Sequence, residues 1–156
     1  MDSRKRHHRC TRHRWYNMSM FVIFSSDKSK DYFPNNSPAR FRSHSSAPLV
    51  LKGLWKVALM EVSVSTSFPK TDALFIYSSI CHESIVNGYS MPLLRRLMFT
   101  EPGNWSTILD SPHYIPVKVS EIRDIDIFVT DEQGDTASFL NQTSTITLHF
   151  RAFPFL

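Results

Sequence analysis

Apolar and polar residues alternate in short runs along most of this chain, and no ten-residue stretch carries apolar side chains at helical spacing. Met20, Val22 and Phe24 share one side of a first strand, with Phe21 and Ile23 on the other. Asp31 to Ser46, rich in Pro, Asn and Ser, reads as a loop or irregular edge around Phe41. Leu49-Val-Leu leads into a turn at Gly53, and Leu54 to Ser65, with Trp55, forms the longest strand. Leu74 to Cys81 follows. Asn87-Gly88 marks a hairpin, because both residues tolerate the positive φ of a type I′ turn. Met91 to Phe99 is the return strand, with Pro92 at an edge or a strand start, and Pro102-Gly103 closes the unit. Ile115, Val117 and Val119, then Ile125, Ile127 and Val129, and last Ile146, Leu148 and Phe150 each alternate with a second set of residues.

One-sided alternation means strands with one face on a core and one face wet. The pattern therefore predicts an all-β domain of about eight antiparallel strands, folded as a two-sheet sandwich or barrel. Most connections are longer than tight hairpins, which favours a single jelly roll whose strands cross between sheets. Periodicity alone leaves an immunoglobulin-like sandwich open. Trp55, Val57, Leu59, Ile125, Ile127, Ile146, Leu148 and Phe150 are the expected core.

Charge changes the picture at one end. The chain of 156 residues has a formal net charge of +4. Arg4, Lys5, Arg6, Arg9, Arg12 and Arg14 against Asp2 give +5 within the first fourteen residues, which leaves the rest at −1. Residues 1–17 therefore read as a disordered basic arm and residues 18–156 as one domain, so attraction to polyanions belongs to the arm. Two cysteines, Cys10 and Cys81, are too few for a disulfide framework and suit a reducing compartment as free thiols. Sequons at Asn17, Asn35, Asn104 and Asn141 have no secretory signal to serve them, because the apolar run from Met18 to Phe24 is short and broken by Ser19. The expectation is a protein that is not secreted. No apolar run reaches the roughly eighteen residues of a membrane-spanning helix, so no membrane partner is expected.

Candidate chemistry is sparse. Asp124 and Asp126 share a strand face and could present paired carboxylates to a cation or a glycosidic bond, but Ile125 and Ile127 on the other face make a solvated side the simpler reading. Asp131, Glu132 and Asp135 form an acidic turn without the spacing of a calcium loop. His7, His8, Cys10 and His13 include a Cys-x-x-His spacing but no second ligand pair. His82, His113 and His149 lack a nucleophile context, and His149, between Leu148 and Phe150, reads as structural. Gly53, Gly88, Gly103 and Gly134 are isolated turn residues and no phosphate cradle. No catalytic residue, metal or cofactor is expected. Phe33, Tyr89, Trp105, Tyr114 and Phe153 fall in or beside turns, where they either anchor a neighbour or plug the sandwich ends, and for Trp105 interface and core stand equal.

Six segments remain to be explained together: Phe33-Pro-Asn-Asn36, Leu51-Lys-Gly-Leu-Trp-Lys-Val-Ala-Leu-Met-Glu-Val62, Met91-Pro-Leu-Leu-Arg95, Ser111-Pro-His-Tyr-Ile-Pro-Val117, Ile125-Asp-Ile127 with Asp131-Glu-Gln-Gly134, and Ile146-Thr-Leu-His-Phe-Arg151. In this order and spacing, from about Met18 to Phe153, the chain resembles the minor capsid (penton) protein of Maverick/Polinton elements and the related adintoviruses. The resemblance implies a non-enzymatic single jelly roll that forms homopentamers at icosahedral vertices, beside a double jelly-roll major capsid protein. It implies a virion location, with assembly in the host nucleus or cytoplasm. Relatives begin near the first strand, so the arm is either a true extension from Met1 or lies upstream of a start at Met18 or Met20. If translated, its Arg4, Lys5, Arg6, Arg9, Arg12 and Arg14 are the residues expected to contact packaged DNA. The rival reading is a jelly-roll carbohydrate or ligand-binding module without catalysis, and a glycoside hydrolase using Asp124 and Asp126 ranks third.

Overall fold

A strand that points its apolar side chains one way needs a second layer to cover them, and this chain supplies two sheets that cover each other. The computed structural model describes residues 18–66, 73–98 and 103–153, so the basic arm with Arg4, Lys5, Arg6, Arg9, Arg12 and Arg14 lies outside the described residues. The described residues are all-β, with strands β1 (Ser19–Ser25), β2 (Arg40–Val50), β3 (Trp55–Thr66), β4 (Ala73–Tyr77), β5 (Ser84–Val86), β6 (Tyr89–Met91), β7 (Leu93–Met98), β8 (Gly103–Ile108), β9 (Ile115–Pro116), β10 (Glu121–Thr130) and β11 (Thr145–Ala152). One sheet has the order β1-β11-β3-β8, with β9 added to β3, and the other has the order β2-β10-β4-β7. Every pairing within them is antiparallel.

The two inner faces form one core. Phe24, Phe41, Leu74, Leu94, Val129 and Ile146 bring six strands into it, and Trp55, Val57, Leu59, Ile125, Ile127, Leu148 and Phe150 are buried in the same cluster. In β3 the inward positions change from Trp55, Val57 and Leu59 to Val62 and Val64, a switch from odd to even numbers. The pairing with β11 explains it: Leu148 faces Leu59 and Thr147 faces Glu61, so Met60 is an extra residue, a β-bulge that turns the strand over. A register shift between Ile122 and Asp124 does the same in β10, where Ile122 and then Ile125, Ile127 and Val129 point inward.

A second, smaller cluster lies outside the β2-β10-β4-β7 sheet. Ala73, Phe75 and Tyr77 point outward from β4 and are covered by Val86, Met91, Leu93 and Phe128, so all five residues of β4 are buried. The β5–β6 hairpin makes this cover, and its turn places Asn87 at φ 48° and Gly88 at φ 86°, the positive values a type I′ turn needs.

Several segments differ from the sequence expectation: the return strand of the Asn87-Gly88 hairpin is Tyr89–Met91, while Leu93–Met98 pairs with β4, which ends at Tyr77. Of the two alternatives for the stretch around Phe41, residues 40–46 take the irregular edge and not the loop: they belong to β2, the end strand of its sheet, where Phe41 faces in, Arg40, Arg42 and His44 face out, and pairing with β10 decides the conformation against a weak apolar signal. Gly103 opens β8 instead of ending a turn, because Trp105 and Thr107 point inward between Asn104, Ser106 and Ile108. Val117 and Val119 fall outside the two-residue β9, with Val117 held by an isolated bridge to Cys81. The strands number eleven in place of about eight: β5, β6 and β8 come on top of the expected runs, and the expected strand at 115–119 shortens to β9.

Trp55 begins β3, is 4% exposed and donates its indole N–H to the Lys52 carbonyl at 2.9 Å across the Gly53 bend. Trp55→Ala is expected to destabilise the domain by about 3–5 kcal/mol, a large part of the ~5–15 kcal/mol typical of domains. Chemical denaturation checks it, and an unchanged midpoint would contradict this packing.

Candidate functional site

Asp124 and Asp126 both leave the outer face of β10, but they serve different partners. His44, opposite on β2, donates from Nδ1 to Asp124 Oδ1 at 2.7 Å, and the Tyr32 ring stacks on His44 with centroids 4.1 Å apart. Asp126 accepts a hydrogen bond from the Ser79 hydroxyl. A hydrolytic pair must aim both carboxylates at one bond. Here each carboxylate has its own hydrogen-bond partner, His44 for Asp124 and Ser79 for Asp126.

The acidic turn satisfies itself. Asp131 Oδ1 accepts from the backbone N–H groups of Gln133 at 2.9 Å and Asp135 at 3.0 Å, and Glu132 lies 3.7 Å from Arg96. Among the described residues no three His, Cys, Asp or Glu side chains gather where they could hold a metal ion. Cys81 is buried, and desolvation pushes its thiol up to about 12, well above the pH at which it would be a nucleophile. His149 is half-buried, shares a 2.8 Å hydrogen bond with the Tyr114 hydroxyl and stacks against Phe21 at 4.4 Å. Desolvation, and then the Arg151 charge, lower its pKa from the ordinary value of 6.5, which keeps the ring neutral at pH 7.

The turn aromatics divide. Trp105 is half-buried against the main core, on the inward side of β8. Tyr114 and Phe153 stay on the outside of the β1-β11-β3-β8 sheet under the guanidinium of Arg151 (5.6 Å) and the ammonium of Lys56 (4.6 Å). Tyr89 is 73% exposed on the β5–β6 hairpin. Phe33 lies under the Arg42 guanidinium, 5.2 Å away.

What the surface offers in larger measure is apolar area on two opposite flanks. At one flank β1 and β2 end their sheets side by side, with Met18, Phe21, Ile23 and Val50 exposed. A cleft of about 460 Å³ opens between these strands, lined by Val22, Phe24, Leu49, Ile122 and Ile125 among others. At the far flank β7 and β8 end the sheets, exposing Met98 and Ile108. Edge strands also present unpaired backbone N–H and C=O groups, so both flanks combine apolar and hydrogen-bonding capacity.

One more concavity was not foreseen from the sequence: a cleft between residues 32–36 and the outer face of β2 and β10, lined by Tyr32, Phe33, Arg40, Arg42 and Asp126 among others. Its only local sign is the Arg40-Phe-Arg42 alternation, which puts two guanidiniums on one strand face. Comparison with known proteins assigns the chain to no family: no family model matches it, and no curated protein matches it either.

Since both carboxylates are solvent-facing and singly partnered, replacing Asp124 and Asp126 together by Asn should shift stability by no more than about 1–2 kcal/mol. Thermal unfolding of the double variant checks this. The same samples should hydrolyse no glycoside, and a turnover present in the parent and lost in the variant would reverse the reading.

Proposed function

We propose that this chain is a structural minor capsid protein of the penton type, a single jelly roll that closes into rings of five at the vertices of a Maverick/Polinton-like shell. The strand order supports the fold part of this reading. Taking β1, β2, β3, β4, β7, β8, β10 and β11 as first to eighth, the sheets run 1-8-3-6 and 2-7-4-5. Every connection between consecutive members crosses from one sheet to the other except the fourth to fifth, a pattern that favours the interleaving of a jelly roll over the hairpin-rich order of an immunoglobulin sandwich.

The pair of dissimilar flanks carries the assembly part. A ring needs a heterologous contact, in which one patch of a subunit meets a different patch of the next. The β1–β2 flank offers exposed Phe21 and Ile23 beside a cleft, whereas the β7–β8 flank offers Met98 and Ile108, which project from the outer faces of the two sheets at their edges. A groove on one side and isolated apolar side chains on the other are complementary in kind. Function then lies in copy-to-copy burial, with the double jelly-roll major capsid protein as the neighbour around each vertex and no enzymatic step.

Native mass spectrometry of the full chain at about 10–50 μM, a range in which a standard-sized interface holds, should yield five copies of the 18.1 kDa subunit. Phe21→Ser with Ile23→Ser, or Met98→Ser with Ile108→Ser, should each abolish the ring. Mixing these two variants should yield hetero-dimers, because one intact patch of each kind remains. A parent that stays monomeric, or a mixture that forms only homo-dimers, would defeat the proposal.

The arm supplies the expected contact with packaged DNA. Engagement of about five phosphates with a slope of roughly −0.9 each corresponds to a few-hundredfold loss of affinity between 50 and 200 mM salt. The full chain should show this dependence on any DNA sequence, and a chain starting at Met18 should lose it. Equal affinity and slope for both would restrict the basic cluster to another role, such as nuclear import.

A further inference from the structure

We infer that the cleft between residues 32–36 and the outer face of β2 and β10 is a binding site for a monoanionic saccharide, a pyranose bearing one carboxylate. It measures about 440 Å³, within the range of small-ligand sites and close to one or two sugar rings. This inference does not rest on the assembly reading, and it uses a different face of the molecule from the two flanks.

Its first support is the state of the two arginines. Arg40 and Arg42 are two positions apart on β2 and opposite Phe128 and Asp126 of β10, so both side chains rise from the same outer face. The Arg40 guanidinium lies 5.8 Å from the centroid of Phe128, and that of Arg42 lies 5.2 Å from the centroid of Phe33. A cation–π contact holds a guanidinium over a ring without using any of its N–H groups as a hydrogen-bond donor to an oxygen. Among the described residues the side-chain ion pairs are His44–Asp124 and Arg96–Glu132, and neither involves Arg40 or Arg42. Two guanidiniums without an ion pair in one concavity are suited to bind a planar carboxylate.

The wall opposite is built to keep its shape. Asn36 Nδ2 donates to the Arg42 carbonyl at 2.8 Å, and the Arg42 backbone N–H donates to Asn36 Oδ1 at 2.9 Å. The carboxamide thus acts as one more strand residue and fastens the 32–36 segment to β2. Tyr32 is held from beneath by its stack on His44, yet the residue is 65% exposed. An exposed, fixed aromatic ring at the rim of a polar cleft is a platform for the C–H face of a pyranose.

Charge selects among anions. Arg40 and Arg42 against Asp126 leave the lining at +1, which draws an anion, while the Asp126 carboxylate beside the two guanidiniums repels the crowded charge of a phosphate that comes close to it. Asp126 and the exposed Asn35 add hydroxyl partners, of use to a polyol and of little use to a nucleobase or a fatty acid. A neutral sugar would leave both guanidiniums unused.

Titration of the full chain by isothermal calorimetry against 3′-sialyllactose, glucuronic acid, lactose, inorganic phosphate and AMP tests the site. One of the two carboxylated sugars is expected to bind with a Kd of about 1 mM, and which one does identifies whether the source is a sialic or a uronic acid. Lactose should bind at least ten times more weakly. Arg40→Gln and Arg42→Gln should each weaken binding at least tenfold, Arg42→Lys should not restore it, and Tyr32→Ala should weaken it by a similar factor with an unchanged melting temperature. Equal binding of lactose, tighter binding of phosphate or AMP, no effect of the Arg variants, or no heat from either acid at 20 mM would each overturn the assignment. A monomeric chain that still binds the acid would refute the ring and leave this site standing.

Discussion

The inner faces of two antiparallel sheets must stay apolar over the full length of their strands, and a strand of twelve residues keeps that register here only by inserting one residue. Met60 is that residue in β3: Trp55, Val57 and Leu59 reach the core before it, Val62 and Val64 after it. Were Met60 paired as an ordinary strand residue, with no bulge, Val62 and Val64 would turn to solvent and Glu61 and Ser63 would face inward. Because β3 pairs with β11, β8 and β9, its change of face also sets which half of the sheet meets which neighbour. The shift at Ile122–Asp124 performs the matching adjustment in the opposite sheet, so both central elements turn while the core stays continuous.

Covering the outsides is handled unequally. The β2-β10-β4-β7 sheet is covered over β4 by the β5–β6 hairpin, and over the strands nearer β2 by the 32–36 segment, fastened through Asn36. An aromatic row of Phe75, Tyr77 and Phe128 runs beneath, with Arg96 over Phe75 at one end and Arg40 over Phe128 at the other. The other sheet is barer. Its outer face carries His149 in contact with both Phe21 and Tyr114, with Arg151 over the Tyr114 ring and Ile23 and Ile108 left to solvent. Polar chemistry collects on the first face, and apolar area remains at the flanks.

Sequence patterning exposed the all-β class and much of the core because the decisive strands, such as Ile125-Asp-Ile127 and Ile146-Thr-Leu-His-Phe150, place bulky residues at every second position. It failed where the inward positions are small or polar. Ser43 between Arg42 and His44, and Thr107 after Trp105, carry little apolar signal, so the first half of β2 looks as much like loop as like edge strand and β8 has no pattern of its own. Parity changes were equally hidden, since Met60 looks like any other apolar residue of its run. The cleft was illegible for a different reason. Phe33 and Arg42 belong to one stretch of chain, but Asp126 and Phe128 arrive from more than eighty residues away, and only the β2–β10 register brings them together.

The pairing of β1 with β11, Ser19 opposite Arg151, joins the two most distant strands of the described chain. Contacts within residues 73–98, by contrast, close over short loops and can form as soon as that stretch exists. During synthesis from the N-terminus, β1 is therefore made first and paired last. Until β11 has left the ribosome, Val22 and Phe24 lack the sheet that buries them, and the edge bearing Phe21 and Ile23 lacks its only strand neighbour among the described residues. The flank in question is thus also the part of the chain that waits longest in an unfinished molecule, where premature pairing between nascent copies is the hazard and completion of the C-terminal strand is the safeguard.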